Sequence, residues 1–423
     1  MRILFVSVAF PPKSDPEALQ TSKYFYHLQK HNDLKIDVVT SAIPTLYMPY
    51  DKDLELYAAG IDQLIPVKLK ENRYLNYIIH KLGLQDKLFP DFKHSFHKQY
   101  KKVLATLNKK PDLIYSRSFP LSSALMAYKL KKELRVPFIL HLSDPWADCP
   151  LEKRQGMSYQ KHNEWERKCF EAADVVTLTS LPTIQFYEEK YPQLTEKFQF
   201  FPNVYESYKE EGSCIKKEHI GERKFRIVYT GGLTGERSPS FLIEPLKVLF
   251  REAPALAEKM EVIFAGDVDA VNRQILRDAE LPFVNWVGKL SFKEALELQR
   301  TADLLVVIDN PIADPGLSMF FPSKLLDYMV ARKRILAITT RGSATHRVME
   351  DLKGDVHSHN EKDGIRNSIV RALEAFEKKD MAYLINDEPP QKYEASYNAD
   401  RLYKLIVNTV DDTKNRYHSR HQT

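Results

Sequence analysis

The feature that most constrains this chain is a rhythm: short β-branched or apolar runs alternate with longer amphipathic stretches, and the series stops once and starts again. A parallel sheet with crossover helices needs this alternation, because its strands are buried on both faces and the chain must return over the sheet after each one. The first series predicts strands at Ile3 to Ala9, Ile36 to Thr40, Leu64 to Leu69, Leu113 to Ser116, Phe138 to Leu142, Val175 to Thr179 and Phe198 to Phe201. The second predicts Phe225 to Tyr229, Glu261 to Ala265, Val284 to Val287, Leu304 to Ile308 and Ile335 to Ile338. Residues 206–224 between them are polar, with Glu206, Lys209, Glu210, Glu211 and Gly212 breaking the apolar pattern, and read as a linker. The expectation is an α/β chain of two doubly wound domains, 1–205 and 225–395, facing a cleft, with a last amphipathic helix at about 396–415 returning to the first domain. A length of 423 residues, beyond what one hydrophobic core supports, agrees.

Composition removes several classes of function. No run approaches the roughly 18 to 20 apolar residues that cross a bilayer, and Met1-Arg2-Ile3-Leu4-Phe5 enters strand-like sequence at once, so neither anchor nor cleavable signal is expected. Cys149, Cys169 and Cys214 have no CxxC or metal-ligand spacing and read as reduced thiols of a cytoplasmic protein, with no disulfide and no metal site. Net charge is only +5, but between Lys68 and Lys110 eleven basic residues face Glu71, Asp86 and Asp91, interleaved with Tyr74, Tyr77, Ile78, Leu82 and Phe89. Two readings stay open for this segment: contact with an anionic membrane at the inner face of the cell membrane, or a solvated basic helix pair covering the first sheet. No recognised nucleic-acid module accompanies the charge, and nucleic acid is not an expected partner.

The chemistry concentrates in the second half. Gly231, Gly232, Gly235, Gly266 and Gly288 follow predicted strands, where a doubly wound sheet binds ligands and where backbone must approach them closely. After the strand Leu304 to Ile308, the run Phe321-Pro322-Ser323-Lys324-Leu325-Leu326-Asp327 opens a helix, with Ser323 as a possible cap. Amide groups of a helix start suit a diphosphate, and Lys324 adds a point charge. Asp327, three residues on, shares a face with Lys324; it can hold the vicinal hydroxyls of a ribose or simply pair with the lysine.

The run from Phe321 through Tyr328-Met329-Val330-Ala331 to Ala337 resembles the donor-binding signature of retaining glycosyltransferases of the GT-B architecture, two Rossmann-like domains, and of glycosyltransferase family 4 in particular. Two further stretches match in the expected order. Tyr229-Thr230-Gly231-Gly232 to Arg237 is similar to the loop that carries a basic residue for the donor diphosphate, which makes Arg237 and Gly232 donor-site candidates. His141-Leu142-Ser143-Asp144-Pro145-Trp146 resembles a first-domain strand and loop facing the donor, with Asp144 as a catalytic or positioning group and His141 either a sugar or acceptor contact or a core histidine. The chain departs from the family at three places: Asp327 stands for Glu, Met319 for a second Glu that touches the donor sugar, and Lys13-Ser14-Asp15-Pro16-Glu17-Ala18 for a glycine-rich loop toward the acceptor.

The resemblance implies a hexosyltransferase-type enzyme that moves a sugar from a nucleoside diphosphate to a hydroxyl with retention, in bacterial surface polysaccharide or glycolipid assembly. It implies a nucleotide sugar as co-substrate, a glycan or lipid-linked glycan as acceptor, and no metal or other cofactor. Lys324, Arg237 and the helix amides would stabilise the leaving phosphate, Ser323 and Asp327 would complete the donor site, and the phosphate itself would take the acceptor proton. Two rivals remain: a nucleotide-sugar epimerase of the same fold, although no paired carboxylates stand out in the sequence, and a catalytically silent sugar-nucleotide-binding scaffold, suggested by Met319.

Overall fold

The computed structural model describes residues 1–84, 88–150, 152, 154–207, 223–312 and 318–420. The chain divides into two compact units: Met1–Glu206 with Glu394–Thr423, and Ser207–Tyr393. Most of the expected linker, together with Cys214 and the Pro315-Gly316-Leu317 stretch before the donor motif, lies outside the described residues.

The first unit is built on a seven-stranded parallel sheet: β1 (Arg2–Val6), β2 (Lys35–Ser41), β3 (Gln63–Val67), β4 (Leu113–Ser118), β5 (Phe138–Leu142), β6 (Val175–Leu178) and β7 (Phe198–Phe200). Its order is β3-β2-β1-β4-β5-β6-β7, so the winding reverses between β1 and β4. Strands such as β5, Phe-Ile-Leu-His-Leu, are buried at every position, as a sheet covered on both faces requires. Helix α1 (Pro16–Leu28) starts on Asp15, whose side chain accepts from the Ala18 amide, with Pro16 in the first turn. The C-terminal helix Ala395–Arg420 shares a core with it: Leu402, Ile406 and Val410 cluster with Phe5, Phe10, Tyr24 and Phe25.

The second unit repeats the plan with β8 (Phe225–Thr230), β9 (Met260–Ala265), β10 (Val284–Gly288), β11 (Leu304–Ile308), β12 (Arg334–Ile338) and β13 (Gly354–His357), all parallel, in the order β10-β9-β8-β11-β12-β13. Here the winding reverses between β8 and β11. The fold class follows the sequence reading; strand ends differ, with β3 stopping at Val67 instead of Leu69 and β4 running to Ser118 instead of Ser116. Strand β1 stops at Val6 instead of Ala9, and β13 was not expected, because Gly-Asp-Val-His carries little β propensity and sits half-buried on the sheet edge.

Charge buried in the first unit fixes where α1 begins. Arg117, on β4, is fully buried, and its Nε donates to Glu17 Oε1 at 2.8 Å; Glu17 Oε2 accepts from Ser143 Oγ at 2.5 Å, at the end of β5. Three elements are thereby tied together at the point where the winding reverses. A buried guanidinium without its carboxylate is costly, whereas replacing both partners by apolar groups is tolerated. Glu17→Leu alone should therefore lose about 3 kcal/mol in urea unfolding, and adding Arg117→Met should restore most of it. Simple addition of the two single-variant losses would remove the ion pair as the clamp on α1.

Candidate functional site

In the second unit the sequence-selected cations come together at the reversal between β8 and β11. The helix Ser323–Ala331 begins there with Pro322 at its cap position and no side-chain cap, so Ser323 is its first helical residue and not the cap expected from sequence. Tyr328, one turn on, locks the helix to both strands: its hydroxyl accepts from the Thr230 amide at 2.9 Å and donates to the Val306 carbonyl at 3.2 Å. That lock holds Lys324 over the end of β8. Lys324 Nζ donates to Tyr229 Oη at 2.7 Å, and Tyr229 Oη donates in turn to the Gly232 carbonyl at 2.9 Å.

The electrostatics of this corner are unbalanced. Burial depresses the Lys324 ammonium well below the usual lysine range, the nearby Arg237 guanidinium pushes it further the same way, and Asp309 opposes them more weakly. Asp309, just beyond β11, is itself engaged, accepting from Thr339 Oγ1 at 2.7 Å. Arg237 Nε is buried with no hydrogen-bond partner among the described residues. Lys324 and Arg237 thus lie close enough to repel at the carboxyl end of the sheet, and Asp309 is the carboxylate that draws Lys324 back. The carboxyl end is where an anion is held in doubly wound sheets.

Backbone gives way around the ammonium. Gly231 has φ +125°, and a Cβ there would lie 2.7 Å from Lys324 Nζ; Gly266 has φ +140°, and its Cβ would meet the Gly231 carbonyl oxygen at 2.1 Å. Both positions demand glycine. At Gly232 the added carbon would meet only the Asp267 carbonyl oxygen at 3.7 Å, an ordinary contact, so the role of Gly232 is its carbonyl. Asp327 is half-buried on the same helix as Lys324, and Met319 is buried at 1% exposure.

In the first unit, Asp144 is half-buried just past β5, next to Ser143 and hence to Glu17. Burial first, then the charge of Glu152, raises its carboxyl to about 6. Burial raises Glu17 to about 7 against the pull of Arg117, with Asp144 adding a smaller push. The loop that carries Asp144 is anchored from behind. Trp146 is fully buried, its amide donates to Tyr187 Oη at 2.8 Å and its indole to His162 Nδ1 at 3.0 Å, while the Ala147 amide donates to Glu166 Oε2 at 2.8 Å. His141 is a sheet-interior residue, fully buried, with Nδ1 3.0 Å from Thr177 Oγ1; burial and Arg117 keep it neutral.

Sequence reasoning did not select Tyr229, Asp309, Glu17 or Arg117. Tyr229 carried a usable signal, as the last apolar residue before the Gly231-Gly232 pair. Glu17 and Asp144 are the paired carboxylates that the linear sequence concealed, since they lie 127 positions apart and meet only through the order of the strands.

No family model and no curated protein sequence matches this chain. Solved structures do. Anabaena HepE, in complex with UDP-glucose, is 14% identical with a TM-score of 0.55 over 99% of this chain and 100% of its own. WaaG, a glycosyltransferase involved in lipopolysaccharide biosynthesis, is 16% identical with a TM-score of 0.56 over 97% of this chain and 99% of its own. The UDP-GlcNAc 2-epimerase from Neisseria meningitidis, bound to UDP-GlcNAc, is 14% identical with a TM-score of 0.54 over 97% of this chain and 100% of its own. At such identities the likeness concerns the fold: two Rossmann-like domains of the GT-B kind.

Proposed function

We propose that this chain is a nucleotide-sugar-dependent glycosyltransferase that transfers a sugar to a hydroxyl acceptor with retention of configuration, in bacterial surface polysaccharide or glycolipid assembly. The observation that carries the reading is the approach of Arg237 to the depressed Lys324 ammonium at the β8–β11 reversal, with Arg237 Nε buried and without a hydrogen-bond partner among the described residues. A diphosphate supplies negative charge there, and its departure from the sugar is the step those cations favour. Asp327, one turn beyond Lys324, takes the ribose hydroxyls, and the start of the Ser323–Ala331 helix adds amide donors at Ser323. The leaving phosphate oxygen takes the acceptor proton, and Asp144 positions the hydroxyl. UDP-sugar complexes among the structural neighbours fit this ligand class.

One observation favours a second reading. Glu17 and Asp144, neighbouring carboxyls raised to about 7 and about 6, are the kind of pair that proton shuffling on a sugar nucleotide uses. A panel of UDP-, GDP-, ADP- and dTDP-sugars without acceptor separates the possibilities. Slow release of free sugar and nucleotide supports the transferase, an epimerised sugar still on its nucleotide supports the epimerase, and binding with neither supports a silent scaffold.

Two substitutions test the donor site. Burial and Arg237 make the Lys324 charge a cost to the folded state at every pH below the unfolded lysine value, and Tyr229 keeps its bond to Gly232 without it. Lys324→Met should therefore raise the melting temperature of the free protein by about 2–4 °C, the equivalent of roughly 1 kcal/mol in a domain of this size, while weakening nucleoside diphosphate binding at least about tenfold. A loss of stability with unchanged affinity would make the lysine structural. Asp327→Ala should weaken the nucleotide by about 1.5–3 kcal/mol in calorimetric titration, and unchanged affinity would end its assignment to the ribose.

A further inference from the structure

One helix of the first unit presents its apolar side to water. Helix α2 (Arg73–Lys81) is well formed locally: Asn72 Oδ1 accepts from the Leu75 amide at 3.0 Å, and the Leu82 amide extends the last turn by donating to the Ile78 carbonyl at 2.9 Å. At about 100° per residue, Tyr74, Leu75, Ile78 and Leu82 fall within one arc roughly 100° wide, bordered by Lys81 and Tyr77. A surface helix normally buries such a stripe. Here the four residues are 81%, 52%, 50% and 63% exposed, while Ile79, about 40° beyond Leu75 at the edge of the stripe, is buried.

Among the described residues of 68–84 the exposed charge has one sign. Lys68, Lys70, Arg73 and Lys81 are all exposed. The described acids of residues 68–110 are turned inward: Glu71 accepts from Lys93 Nζ at 2.5 Å and Thr45 Oγ1 at 2.8 Å, and Asp91 accepts from the Ser122 amide and hydroxyl, both at 2.8 Å. Lys93, one of the eleven basic residues counted in this segment from sequence, is thereby removed to the interior. A second copy of this chain is a poor occupant, since a self-complementary contact would oppose these cations to one another. A layer that is apolar inside and anionic at its surface satisfies both the stripe and its border, and no described helix is long and apolar enough to cross it.

We infer that α2 and Leu82 form a membrane-docking element, whose apolar stripe enters the headgroup boundary of an anionic bilayer while Lys68, Lys70, Arg73 and Lys81 meet lipid phosphates. Tyr74 and Tyr77 suit that depth, with apolar rings and polar tips. The inference does not rest on the nucleotide site, and its test needs no nucleotide.

The test is flotation of the full chain with phosphatidylcholine vesicles, with and without about one third phosphatidylglycerol, at low salt and at about 0.5 M salt. Wild type should float with the anionic vesicles at least about tenfold more than with the neutral ones, and salt should release most of it. Leu75→Ser/Ile78→Ser/Leu82→Ser should reduce flotation at least about tenfold with an unchanged melting temperature, because the replaced side chains are exposed. Equal flotation of the triple variant and wild type would overturn the inference, as would wild-type flotation indifferent to lipid charge. A concentration-dependent dimer in light scattering that the triple variant abolishes would also overturn it, in favour of a second copy on this face.

Discussion

One unfavourable interaction stands at the β8–β11 reversal of the second unit, the repulsion between the half-buried Lys324 ammonium and the nearby Arg237 guanidinium. A protein that only had to be stable would not keep it, since burying like charges beside one another costs free energy. It persists because the surroundings over-determine it. Tyr328 fixes the helix to β8 and β11, Tyr229 holds the ammonium and donates its own hydrogen bond to the Gly232 carbonyl, and Gly231 clears the space a side chain would occupy. Strain retained in this way at a sheet's carboxyl edge is what preorganised recognition of an anion looks like before the anion arrives.

The first unit solves the corresponding problem in the opposite sense. At its own reversal, between β1 and β4, the buried Arg117 is answered inside the fold by Glu17. Its carboxyls stand near neutral pH, and Asp144 is offered on a loop braced by Trp146, Tyr187 and Glu166. One sheet therefore carries two neighbouring cations at its reversal, and the other a compensated cation with adjacent titratable acids.

How much of this the sequence disclosed depends on the range of the interaction. The alternation of apolar runs is local, and β5 and β11 were placed to the residue because Phe138 to Leu142 and Leu304 to Ile308 are buried throughout. Strand β13 escaped because an edge strand need not look apolar. Lys324 and Arg237 were singled out from the sequence, but not the Tyr229 hydroxyl that takes the ammonium or the Thr339 bond that engages Asp309, since both depend on strands distant in sequence. Glu17 was visible only as a departure from a glycine-rich loop. Its partner Arg117 lies 100 positions away on a strand that topology, not sequence distance, brings alongside. The same holds for α2: composition gave basic and aromatic residues, while only the fold shows that Glu71 and Asp91 are spent inside and that the apolar stripe faces out.

The measurement that bears most directly on the anion corner is proton uptake on ligand binding. An anion placed beside a lysine whose ammonium is depressed must raise that ammonium back toward its ordinary value, so binding draws a proton from the buffer. Titrating the chain with UDP at a series of pH values from about 8 to 10, where the terminal phosphate of UDP is already ionised, in two buffers of unlike ionisation heat at each pH gives the count from the difference in heat. The account expects net uptake that disappears in Lys324→Met. Binding with equal heats in the two buffers after correction at every pH, or with proton release, would contradict it.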